Sequence, residues 1–119
     1  IDQGHLYLLR ESPSYSLAQV KGFASHFHLG NCVVRDPKNP AFGAKHPVFG
    51  FSGGEVGFRE ISHFLSLLKE NQYFDSNRPW DKPILSIEVR PVIGEDPHQI
   101  LNQSKEEFLK AWSNFSNLK

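Results

Sequence analysis

Apolar positions along the chain fall into two helical stripes and two alternating runs. Over residues 55–73, Phe58, Ile61, Leu65 and Leu68 lie at i, i+3, i+7 and i+10, and Phe64 widens the stripe. Gly53-Gly54 stand just before it, as suits a tight turn feeding a helix. A second helix begins at Asp96: an Asp N-cap, Pro97 at the first helical position and Gln99 completing an Asp-x-x-Gln box. Its expected apolar face is Leu101, Phe108, Ala111, Trp112 and Phe115. A weaker helical pattern covers residues 14–22, with Leu17 and Val20 inside and Gly22 at its end.

Strand alternation appears twice. Residues 83–91 set Leu85, Ile87 and Val89 against Ser86, Glu88 and Arg90, and residues 25–30 set Phe27 and Leu29 against His26, His28 and Gly30. The order is helix, strand, long loop, helix, strand, helix. That alternation predicts an α/β domain with parallel strands joined by helical crossovers. Residues 34–54 have no period and several Pro or Gly positions, and form the long loop after the first strand.

Composition narrows the class. A chain of 119 residues is at most one domain, and its 39% hydrophobic content with 9 glycines is that of a globular protein. Lys and Arg number 13 and Asp and Glu 13, so no net charge draws the chain to nucleic acid or an anionic membrane. Apolar runs are only a few residues long, too short for a membrane span. One cysteine forms no internal disulfide, so a reducing, cytoplasmic setting is expected. The chain opens on Ile1-Asp2, contains no methionine and shows no signal-peptide pattern, and it reads as a piece of something longer.

The chemistry sits on the polar faces of the two strands. A strand inside a parallel α/β sheet is normally apolar on both sides. Here one strand carries His26 and His28, and the other Glu88 and Arg90. A buried carboxylate costs several kcal/mol without compensation, so Glu88 requires a partner: Arg90, a metal ion, or both. One imidazole with carboxylates suits Mn²⁺, Mg²⁺, Co²⁺ or Zn²⁺. The plainer alternative is a structural His-x-His and a simple Glu88–Arg90 ion pair. His46, His63 and His98 are expected on the solvated surface and Cys32 as a small core filler. Residues 49–54, with three glycines, form either a turn that requires glycine or a backbone cradle for an anion.

In this order, Asp2-Gln3-Gly4-His5, the segment Ser25 to Cys32, Gly53-Gly54-Glu55 and Ser86 to Pro91 resemble a known family. The chain is similar to the C-terminal part of a sugar phosphate isomerase/epimerase of the xylose isomerase-like superfamily. The resemblance runs from Asp2 to about Trp112. It implies an incomplete (β/α)8 TIM barrel, from the end of strand six through helix eight, with residues 1–119 forming part of one domain. A full barrel takes about 250 residues.

The resemblance also implies roles. Asp2, His28 and Glu88 would hold a divalent metal cation, Mn, Mg, Co or Zn, with Glu88 also the catalytic acid or base. His5 and His26 would face a sugar or sugar phosphate. Arg35, at a spacing unlike the family's, and Arg90 would be further substrate contacts. The implied reaction is proton abstraction next to a carbonyl through a metal-stabilised enediolate. A fourth ligand and the second carboxylate would come from the N-terminal barrel half, absent here, so the chain alone is expected to be inactive. That half, or a second copy of the chain, is the expected partner, with no nucleic acid and no membrane. Two alternatives remain: an endonuclease IV-like metal-dependent phosphodiesterase, or a non-catalytic fragment that binds sugar or serves as a packing partner.

Overall fold

The computed structural model describes residues 1–75 and 83–117. The elements are α1 (Gln3–Leu8), α2 (Pro13–Gln19), β1 (His26–Leu29), α3 (Phe58–Glu70), β2 (Ile84–Ile87) and α4 (Pro97–Ser116). The two strands pair in parallel, His26 opposite Ile84 and Leu29 opposite Ile87, and the Glu88 N–H donates to the Leu29 carbonyl at 2.9 Å to extend the ladder. On the other side of β1, Asp2 forms an isolated parallel bridge with His28, and the His28 N–H donates to the Ile1 carbonyl at 2.8 Å. Three extended stretches therefore lie side by side in chain order. The expected mixed α/β class with parallel strands is observed.

Burial follows the alternation of β1: Phe27 and Leu29 are fully buried, His26 is exposed and His28 half-buried. Leu85, Ile87 and Val89 pack as partly buried residues against the same core. The helix stripe supplies Ile61, Phe64, Leu65, Leu67 and Leu68. Phe27 meets Phe64 and Tyr73 edge-on, with ring centroids 6.3 and 5.0 Å away, and the Tyr73 hydroxyl donates to the Leu17 carbonyl at 3.0 Å, tying α2 to the end of α3.

Some boundaries differ from expectation. The helix expected over 55–73 starts only at Phe58, because Glu55 and Val56 spend their N–H groups on the β1 side, on the Cys32 carbonyl and Asn31 Oδ1. It stops at Glu70, and Gln72 then takes the left-handed conformation at φ 63°. The weaker helix lies at Pro13–Gln19, with Ser12 as N-cap and Pro13 at the first position, and Gly22 at φ 94° follows it. Asp96 caps α4 as expected, but it accepts from His98 N at 3.1 Å. A reciprocal Gln99 bond is absent among the described residues.

The face of α4 needs correction. Leu101 and Trp112 are 47% and 43% exposed, whereas Ile100, Ser104 and Ala111 are buried and Phe108 and Phe115 partly so. The packed stripe is 100, 104, 108, 111 and 115, an unbroken helical row. Ser104 fits in it because its hydroxyl donates to the Ile100 carbonyl at 2.8 Å. The short helix α1 was not expected. Asp2 both ends the extended stretch and caps this helix, accepting from His5 N at 3.3 Å, and six residues are too few to show a period. No helix among the described residues is long and apolar enough to cross a membrane.

Candidate metal centre

The parallel ladder brings Asp2, His28 and Glu88 to one end of the sheet. Asp2 bridges His28 directly, and Glu88 is the first residue beyond β2, so all three lie toward the carboxyl ends of the extended stretches. In parallel α/β sheets that is the side where ligands collect. His28 Nδ1 stands 2.7 Å from Glu88 Oε2 and 3.8 Å from Asp2 Oδ2. Each residue offers a donor atom within 4.8 Å of the other two. Two carboxylates and one imidazole form a hard-to-borderline donor set suited to Mn²⁺, Mg²⁺ or Zn²⁺. The residues fit the cation the resemblance implies.

A cleft of about 500 Å³ opens over this cluster, lined by Ile1, Asp2, His5, His26, His28 and Glu88. His5 enters from α1 with its Nδ1 4.0 Å from Asp2 Oδ2. His26 Nε2 is 2.9 Å from the Ser86 hydroxyl across the strand pair, and its ring meets His28 edge-on. Both histidines therefore line this cleft.

Two expected substrate contacts lie elsewhere. Arg35 points away and pairs with Glu55, Nε to Oε1 3.0 Å, with 83% of its side chain exposed. Arg90 is exposed, does not line the cleft, and forms no ion pair with Glu88 among the described residues. Its backbone N–H donates to the His46 carbonyl at 2.7 Å. Glu88 finds its partners in His28 and in His46, whose Nε2 is 3.8 Å from Oε1.

His46 is the largest departure from the sequence reading. It was expected on the surface, yet it is 5% exposed and takes the left-handed conformation at φ 52°. A histidine in that region stores local strain, of order 1–3 kcal/mol, that its surroundings must hold. Within an aperiodic loop, the one hint of burial was the apolar run Pro47-Val48-Phe49 after it. His63 and His98 are exposed, as expected.

The loop carrying His46 is clamped by Asn31, which is fully buried. Its Oδ1 accepts from Cys32 N and Val56 N, both at 2.8 Å, and its Nδ2 donates to the Val48 carbonyl at 3.0 Å. Sequence periodicity carries no trace of such a clamp. Gly54 is required beside it, because a Cβ there would stand 2.6 Å from Asn31 Nδ2. The glycine segment is thus a turn. Within it the Gly50, Phe51 and Gly54 N–H groups donate to the Val56, Val48 and Phe51 carbonyls, and at the start of α3 the Gly57 and Phe58 N–H groups donate to Glu60 Oε2 and Glu107 Oε2.

Cys32 is buried as a core filler, its Sγ donating to the Gly4 carbonyl at 3.3 Å. Burial, and then the Glu55 and Asp2 charges, push its thiol up to about 11. Tyr7 is pushed up to about 12 by burial and by Glu60 and Glu55.

No family model, curated protein or solved structure matches this chain.

Proposed function

We propose that this chain carries the metal-binding face of a divalent-cation-dependent sugar or sugar phosphate isomerase or epimerase, as the C-terminal part of a (β/α)8 barrel. The observation that carries the reading is the convergence of Asp2, His28 and Glu88, three donors far apart in the chain, within 4.8 Å of one another. The parallel order of Asp2, β1 and β2, and the helical crossover between the strands, support the barrel part of the reading.

In this reading Asp2, His28 and Glu88 hold the cation, whose charge when bound offsets the negative charge that builds on the substrate oxygens as a proton leaves carbon. Glu88 takes or returns that proton. Its carboxylate is placed for this by His28 on one oxygen and by His46 beside the other. His5 and His26, at the rim of the cleft, orient hydroxyls of the sugar. A second carboxylate on the opposite face of the substrate comes from outside these residues, so residues 1–119 alone are expected to be inactive.

The test is solvent-deuterium exchange into a ketose or ketose phosphate, followed by NMR in the presence of Mn²⁺. The protein carrying this segment exchanges the proton next to the carbonyl, and Glu88→Gln slows the exchange by at least about 100-fold. An unchanged rate in Glu88→Gln overturns the reading.

A further inference from the structure

Helix α1 ends in a Schellman turn: the Arg10 N–H donates to the Tyr7 carbonyl at 3.1 Å and the Glu11 N–H to the Leu6 carbonyl at 2.8 Å. Arg10 fills the left-handed position of that turn, at φ 57°. Glycine is the usual occupant there, because a Cβ is strained in that region. Backbone strain of this kind collects at ligand clamps. The Arg10 side chain is exposed and forms no ion pair among the described residues. It borders a cavity of about 390 Å³ whose wall also includes Tyr7, Leu8, Val33, Arg35 and Phe42. Isolated bridges of Val33 with Phe42 and Gly43 close residues 33–43 into a loop and set Phe42 beside Val33. Arg35 meets Glu55 through Nε, and its guanidinium carries further donors on its two other nitrogens. Among the described residues, the two arginines are the only charged side chains on this wall. The cavity shares no lining residue with the cation cleft.

We infer that this cavity binds a small phosphate monoester, with Arg10 and Arg35 on the phosphate and Leu8, Val33 and Phe42 against its ester group. Planar guanidiniums match phosphate oxygens with paired N–H donors. Two of them offset the charge of about −2 that a monoester carries, whereas a single carboxylate would balance only one. The Tyr7 phenol, pushed up to about 12 by burial and by Glu60 and Glu55, keeps its proton and adds a hydroxyl donor to the same wall. The volume lies at the low end of the roughly 300–1,000 Å³ typical of ligand pockets, which suits one ring and a phosphate and leaves no room for a dinucleotide. This site stands apart from the cation cleft, and neither it nor the isomerase reading depends on the other.

The experiment is calorimetric titration of the full chain with phenyl phosphate at about pH 7.5, where the phosphate is near its dianion. EDTA is present to keep the probe off any bound cation. One equivalent is expected to bind, with benzoate and inorganic phosphate each at least about 10-fold weaker. Arg10→Gly is expected to weaken phenyl phosphate at least about 10-fold while raising the urea midpoint, because glycine relieves the left-handed turn. Arg35→Gln, at a side chain 83% exposed, is expected to weaken it as much with the midpoint unchanged. A wild type that takes up no phenyl phosphate overturns the inference. So does an unchanged affinity in either arginine variant, or benzoate or inorganic phosphate binding as tightly as the monoester. If the Arg10→Gly midpoint falls instead, Arg35→Gln decides: binding it retains overturns the inference, and binding it loses at an unchanged midpoint supports it.

Discussion

Replacing Asn31 with Ala tests what holds the loop of residues 31–57 against the sheet. The side chain is fully buried and makes three hydrogen bonds, to Cys32 N, Val56 N and the Val48 carbonyl. Truncation orphans three backbone groups at roughly 1–3 kcal/mol each, with some relief if water enters the space. The expected loss is about 3–5 kcal/mol, a large part of the roughly 5–15 kcal/mol that stabilises a domain. With a urea slope near 2 kcal/mol/M, the unfolding midpoint falls by about 1.5–2.5 M. Gly54→Ala attacks the clamp from the other side, since its Cβ would reach within 2.6 Å of Asn31 Nδ2. Truncating Asn31 removes that clash and leaves only the tight 3.0 Å approach to the Phe51 carbonyl, so the double mutant is expected to lose less than the sum of the singles by about 1 kcal/mol. A loss below about 1 kcal/mol in Asn31→Ala, or strict additivity in the cycle, would refute the clamp.

Two further outcomes follow from burial. On α4, Ile100→Ala at a 4% exposed position is expected to cost about 2–4 kcal/mol, while Leu101→Gln at a 47% exposed one stays within about 1 kcal/mol, both read from thermal melts. Cys32, pushed up to about 11, holds its proton in the folded chain at pH values where the unfolded chain has lost it. Stability is therefore full below about pH 9 and falls as the pH climbs from there toward 11, and Tyr7, pushed up to about 12, extends the same loss upward. The matching kinetic readout at pH 8 is a thiol reagent that labels the native chain at least about 100-fold more slowly than the urea-unfolded chain.

Much of the fold was legible from local pattern. The period-two runs placed Phe27, Leu29, Leu85, Ile87 and Val89 on the core side and left His28 and Glu88 on the other, as observed. Asp96-Pro97 marked the start of α4 and Phe58 to Leu68 the packed face of α3. These features are short-range: residues two, three or four apart share a face, and one buried face forces the rest of the element to follow. The grouping of Asp2, His28 and Glu88 was anticipated through family resemblance, since no local rule links positions 2, 28 and 88.

What remained hidden belongs to the loop and to the ends of elements. His46, Asn31 and Gly54 lie in segments without a period, where burial depends on what packs above a residue and neighbouring identities carry no information about it. Arg35 was drawn to Glu55, and Arg90 was turned outward while its backbone held His46. Periodic elements write their inner and outer faces into the order of residues. In an aperiodic segment the choice between core and solvent is made only when distant parts of the chain close over it, and that closure put the buried histidine beside Asp2 and Glu88.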